Sequence, residues 1–141
     1  MYLCSLTYVG ALAIWDVRKK LIPAIVFYLG GAFSLLYALF VVLTEGRDIC
    51  EVGLSLLPGI IYLLLAYVTR QQIGYGDGIL FLILGLLLGK EAVLFVLVVG
   101  QLIASVWGIF LIAFRKAGKG TTMAYIPFVF IAMLLYRMVA L

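Results

Sequence analysis

Ile73-Gly74-Tyr75-Gly76-Asp77-Gly78-Ile79-Leu80-Phe81-Leu82-Ile83-Leu84-Gly85-Leu86-Leu87-Leu88-Gly89 is an unbroken apolar run with a single carboxylate near its start. At ~1.5 Å of helical rise per residue, a run of this length barely crosses ~30 Å of hydrocarbon. Asp77 therefore lies at the membrane interface or slightly inside it, where an acid is costly and marks a candidate functional site.

Five more apolar runs surround this one: 1–15, 22–43, 52–69, 92–114 and 123–141. Most approach the roughly 20 residues that a spanning helix needs. The pattern predicts an all-α polytopic membrane bundle of about six transmembrane helices, forming one domain over residues 1–141. Composition agrees: 67% of the residues are apolar and the mean hydropathy is +1.31. A soluble core of this size has no use for so many apolar side chains, whereas a bundle in lipid places them on its outside.

The net charge of +4 does not point to nucleic acid, because the basic residues sit in short segments between apolar runs. Anionic lipid head groups are the expected partners. Histidine is absent, which excludes Ser-His-Asp and Cys-His nucleophile systems and leaves carboxylates as the natural acid–base groups. Cys4 and Cys50 have no metal or redox spacing and read as small apolar fillers. No metal and no cofactor is expected. The first run lacks a basic leader and ends at a charged patch, so it reads as a retained span.

Charge also orients the bundle. Arg18, Lys19, Lys20, Arg70, Arg115, Lys116 and Lys119 fall in the first, third and fifth connections, whereas Arg47, Lys90 and Arg137 fall at the other end. The positive-inside rule assigns the odd connections to the cytoplasm and both termini to the extracytoplasmic side. Glu45, Asp48, Glu51 and Glu91 then face outward, and two acids remain on the cytoplasmic side: Asp77 and Asp16. Asp16 opens the segment Asp16-Val17-Arg18-Lys19-Lys20-Leu21-Ile22-Pro23. Pro23 starts the second run where a missing N–H does no harm, and Pro58 is expected to kink the third. Residues 115–122, with Gly118 and Gly120, read as the most flexible and exposed cytoplasmic loop.

Paired carboxylates carry a specific chemistry. Two of them about 3 Å apart cannot both ionise and so share one proton, one acting as base towards water and the other as acid. Gly74, Gly76 and Gly78 leave the neighbourhood of Asp77 free of side chains, so that a substrate backbone can approach. Each feature also has a plainer reading. An aspartate at a helix end serves as a cap, glycines such as Gly85 and Gly89 serve helix packing, and Arg18, Lys19 and Lys20 serve topology. Two acids in matched motifs on one membrane face favour an aspartyl protease at the bilayer surface.

The two segments resemble those of the type IV prepilin peptidases, including the small forms that serve Tad-type pili and the archaeal preflagellin peptidases. Asp16-x-Arg18 followed by Ile22-Pro23 is similar to that family's first aspartate motif. Gly74-Tyr75-Gly76-Asp77 is similar to its GxGD motif, and Ile126-Pro127-Phe128 to its proline–phenylalanine element. The likeness covers nearly the whole chain. Where the family often has lysine this chain has Ile79, and where it often has asparagine this chain has Ala24.

The resemblance implies that Asp16 and Asp77 are the catalytic pair. The implied substrate is a prepilin or pilin-like precursor, whose short basic leader is removed at the cytoplasmic face of a prokaryotic inner membrane. Gly74, Gly76, Gly78, Arg18, Lys20 and Pro127 are the expected shaping and substrate-binding residues. Larger relatives carry a cysteine-bearing cytoplasmic segment and N-methylate the new amino terminus; nothing here resembles it, so cleavage without methylation is expected. The rival reading is a small transporter or channel subunit whose two acids bind cations or relay protons, and it requires a polar path across the bilayer.

Overall fold

A computed structural model describes residues 2–19, 23–70, 74–114 and 124–140. Lys20, Ile22 and residues 115–122, with Gly118 and Gly120, lie outside the described residues. Six helices follow one another: α1 (Tyr2–Lys19), α2 (Ala24–Glu45), α3 (Ile49–Val68), α4 (Tyr75–Leu88), α5 (Lys90–Ala113) and α6 (Ile126–Val139). Among the described residues there is no strand. The all-α bundle expected from the apolar runs is the observed fold.

Helix ends follow local chemistry. Asp48 caps α3 by accepting the Cys50 N–H at 3.2 Å, which starts that helix before its apolar run begins. Gly89 takes φ +86 between α4 and α5, a conformation that disfavours other residues, so it serves the turn rather than packing. Helix α3 runs through the buried Pro58 as one element.

Helices α2, α3 and α5 are long and apolar enough to cross a membrane. Their outer faces expose Leu35, Leu36, Leu39, Phe40, Leu64 and Ile109, an apolar surface suited to hydrocarbon rather than water. Helix α4 is different. It has only 14 residues, ~21 Å of helix, and packs against α1, α2, α3 and α5. Residues Leu80, Phe81, Ile83, Leu84, Gly85, Leu86 and Leu87 are all buried, so protein covers this helix on every side. A helix enclosed by neighbours need not match the bilayer thickness, and its ends can stop short of the surface.

Close packing of α3 on α4 relies on missing side chains. A Cβ on Gly85 would lie 2.1 Å from the Ser55 carbonyl oxygen, and one on Gly59 would lie 2.6 Å from the Leu82 backbone nitrogen. The two backbones approach as closely as small residues allow, the usual device where lipid supplies no hydrophobic drive between helices. Around this contact Val9, Leu12, Phe81, Val93, Val96, Val129 and Met133 form the core.

Candidate active site

The sequence places Asp16 near the end of α1 and Asp77 in the first turn of α4. Antiparallel succession brings the last turns of α1, α3 and α5 and the first turns of α4 and α6 to the same end of the bundle. The carboxylates of Asp16 and Asp77 interact electrostatically there. Asp77 has the more protein packed around it, and the backbone N–H of Ile126 lies near enough to Asp16 to favour its charged form. Asp16 lies just beyond the apolar run of the first span. Burial raises its carboxyl above the ordinary range, and the Ile126 N–H pulls the other way.

Ile126 is the first residue of α6, and Pro127 follows in its opening turn. Proline there sacrifices no helical hydrogen bond, and the free N–H groups of a helix start attract negative charge. Pro127 thus belongs to the turn beside Asp16 and is itself only half-buried.

The glycines divide by what they face. A Cβ on Gly74 would lie 3.5 Å from the Asp77 carboxylate, and one on Gly76 would lie 3.3 Å from the Phe27 ring. Gly78 is buried, and a Cβ there would meet the Leu63 side chain at 2.8 Å and its backbone nitrogen at 3.1 Å. Gly74 therefore borders the acid, whereas Gly78 faces α3 and serves the α3–α4 contact. Arg18 is exposed on the last turns of α1, and Lys20 lies outside the described residues.

Three polar side chains that the motifs do not include converge beside Asp77. The Tyr62 hydroxyl lies 2.5 Å from Gln101 Oε1 and 3.3 Å from the Tyr125 hydroxyl. A phenol has one hydrogen and the amide oxygen has none, so Tyr62 donates to Gln101 and Tyr125 donates to Tyr62. Both phenols lie within electrostatic reach of Asp77. The Tyr62 ring also packs on Phe81 with centroids 5.0 Å apart. In the sequence these tyrosines look like ordinary aromatic members of apolar stretches. Gln101, an amide in the middle of the longest apolar helix, was the visible signal.

Two of the other acids have structural partners at the far end of the bundle. Glu51 pairs with Lys90 at 2.8 Å and Asp48 caps α3. A cavity of about 210 Å³ lies there, lined by Arg47, Glu51, Lys90, Glu91 and Tyr136. A second, apolar cavity of about 280 Å³ lies between α1 and α2, lined by Cys4, Tyr8, Leu29 and Phe33. Neither of these two cavities is lined by an aspartate.

No curated protein and no solved structure matches the chain. A family model does match, over residues 3–141, and with helices able to cross a membrane and two acids brought together at one end, the protein is a membrane member of the type IV leader peptidase family.

Proposed function

We propose that the protein is an aspartic endopeptidase that removes the short basic leader from prepilin or pilin-like precursors, with Asp16 and Asp77 as its general acid and base. The observation that carries this reading is the juxtaposition of the two carboxylates, contributed by α1 and α4 from positions far apart in the sequence. Their helix end carries Arg18 and Arg70, and the positive-inside reading of the sequence turns that end to the cytoplasm of a prokaryotic inner membrane, against anionic lipid.

In the reaction the ionised carboxylate takes a proton from water, whose oxygen adds to the scissile carbonyl carbon while the protonated partner hydrogen-bonds the carbonyl oxygen. The tetrahedral adduct then collapses. The carbon–nitrogen bond breaks, a proton passes to the leaving amine, and the pair returns to sharing one proton. Asp16, beside the N–H at the start of α6, is the member better suited to negative charge, and the more enclosed Asp77 is better suited to holding the proton. A precursor whose apolar helix already lies in the bilayer reaches the pair by diffusing in two dimensions. The new amino terminus is left unmethylated.

Relay of cations or protons is less well supported. The buried serines Ser5, Ser34 and Ser55 bond to carbonyl oxygens of their own helices, at 2.8, 2.9 and 2.7 Å, and Ser105 does the same at 2.7 Å. Among the described residues these hydroxyls line no path across the bundle. Incubating the purified protein with prepilin-like precursors and sequencing the products by mass spectrometry tests the proposal. The expected result is a single cut after the basic leader that is lost in Asp16→Asn and Asp77→Asn; intact precursor with folded wild-type protein overturns it.

A further inference from the structure

Gln101 sits midway along α5 on a face that is exposed in an apolar helix. A primary amide in hydrocarbon is unfavourable unless a partner compensates for its lost water. The partner is Tyr62, a buried residue of α3, which accepts in turn from Tyr125, the residue preceding α6. The next residue, Ile126, has its backbone N–H near enough to Asp16 to favour the charged carboxylate. Hydrogen bonds therefore link Gln101, Tyr62 and Tyr125 within electrostatic reach of Asp77, and the residue that follows Tyr125 neighbours Asp16.

We propose that Tyr62 and Gln101 are positioning residues. They anchor Tyr125, and with it the first turn of α6, so that the Ile126 N–H holds Asp16 at a fixed separation from Asp77. Neither needs to touch the substrate. Each joint lies between different helices, so its loss lets α6 shift relative to α1 and α4 without unfolding the bundle. A merely structural hydrogen bond makes a different forecast for Gln101: with that polar group removed from a lipid-facing position, kcat should stay near that of wild type.

The inference rests on the peptidase reading, and the test keeps the two separable. Tyr62→Phe keeps the ring against Phe81, Gln101→Met keeps the length of the side chain without its oxygen, and both are compared with the double variant. Wild-type cleavage of a precursor is the control for the function itself. Each single variant should lower kcat about ten- to a hundredfold with KM within about threefold, the pattern for misplaced acid–base groups. The double variant should be no worse than the worse single, because the two act as one unit.

The acid limb of the kcat/KM profile should also move to higher pH. Losing the N–H that favours ionised Asp16 eases its protonation, in surroundings where Asp77, Tyr62, Tyr125 and, on its own helix, Arg18 are the other titratable or charged groups. Melting temperatures should stay at or above that of wild type for Gln101→Met. If wild type cleaves and the variants keep kcat within about threefold, leave the pH profile unmoved, or lose activity multiplicatively, the positioning role is wrong. If wild type itself is inert on every precursor, the peptidase reading fails first.

Discussion

The backbone N–H of Ile126 lies near enough to Asp16 to favour its charged form, so the last helix of the chain reaches the first acid of the pair. A carboxylate at the start of a helix meets free N–H groups and the positive end of the helix dipole. The fold thereby treats two identical side chains differently: Asp16 gains a donor at a helix start, and Asp77 gains more enclosure.

Removing either acid should abolish turnover. Asp16→Asn and Asp77→Asn keep shape and an acceptor oxygen but cannot share a proton. Each should reduce leader release about 10²–10⁴-fold or more, measured by mass spectrometry on equal amounts of folded protein. More than a tenth of wild-type activity in either variant contradicts the assignment.

Activity should follow a bell-shaped pH profile belonging to the pair. Below the first step both acids are protonated and no base remains; above the second neither holds a proton and no acid remains. Burial raises the Asp16 carboxyl, so the acid limb of kcat/KM should lie above about pH 4, the range of a free aspartate. A limb at or below that pH would show that the Ile126 N–H outweighs burial.

Helix packing should be sensitive at one set of glycines and indifferent at another. Gly85→Ala brings a methyl to 2.1 Å from the Ser55 carbonyl oxygen, whereas Gly31 has open space around it in α2. Gly85→Ala should destabilise the bundle by about 1–3 kcal/mol and lower the melting temperature by several degrees. Gly31→Ala should be neutral or slightly stabilising, since alanine is the better helix former. Equal effects would mean that α3 and α4 are not in backbone contact.

Gly78 offers a sharper test because it adjoins Asp77. If its bare backbone serves α3 rather than substrate, Gly78→Ala should lower both melting temperature and activity, and a second change, Leu63→Ala, should restore part of both by removing the side chain it meets at 2.8 Å. Full melting temperature with lost cleavage in Gly78→Ala would return this glycine to the substrate path.

Hydropathy alone carried the fold a long way. The run 73–89 is α4 (Tyr75–Leu88) and the run 92–114 is α5 (Lys90–Ala113), with small offsets set by end residues. The run that begins at 52 starts at Ile49 in the structure because Asp48 caps it. Asp16 and Asp77 stood out as candidates for the same reason, since a charge beside hydrocarbon is expensive wherever it occurs.

Which helix lies in the middle was not legible. α4 reads like any other span, and only packing shows it enclosed on all sides. The line Gln101–Tyr62–Tyr125 was equally hidden, because its hydrogen bonds join residues 39 and 63 positions apart. A residue's apolar or polar character is a property of its own position, and it decided the spans and the two acids. Which hydroxyl meets which amide depends on how separate helices rotate and close on one another, and that was decided only when small residues such as Gly59 and Gly85 let the backbones come together.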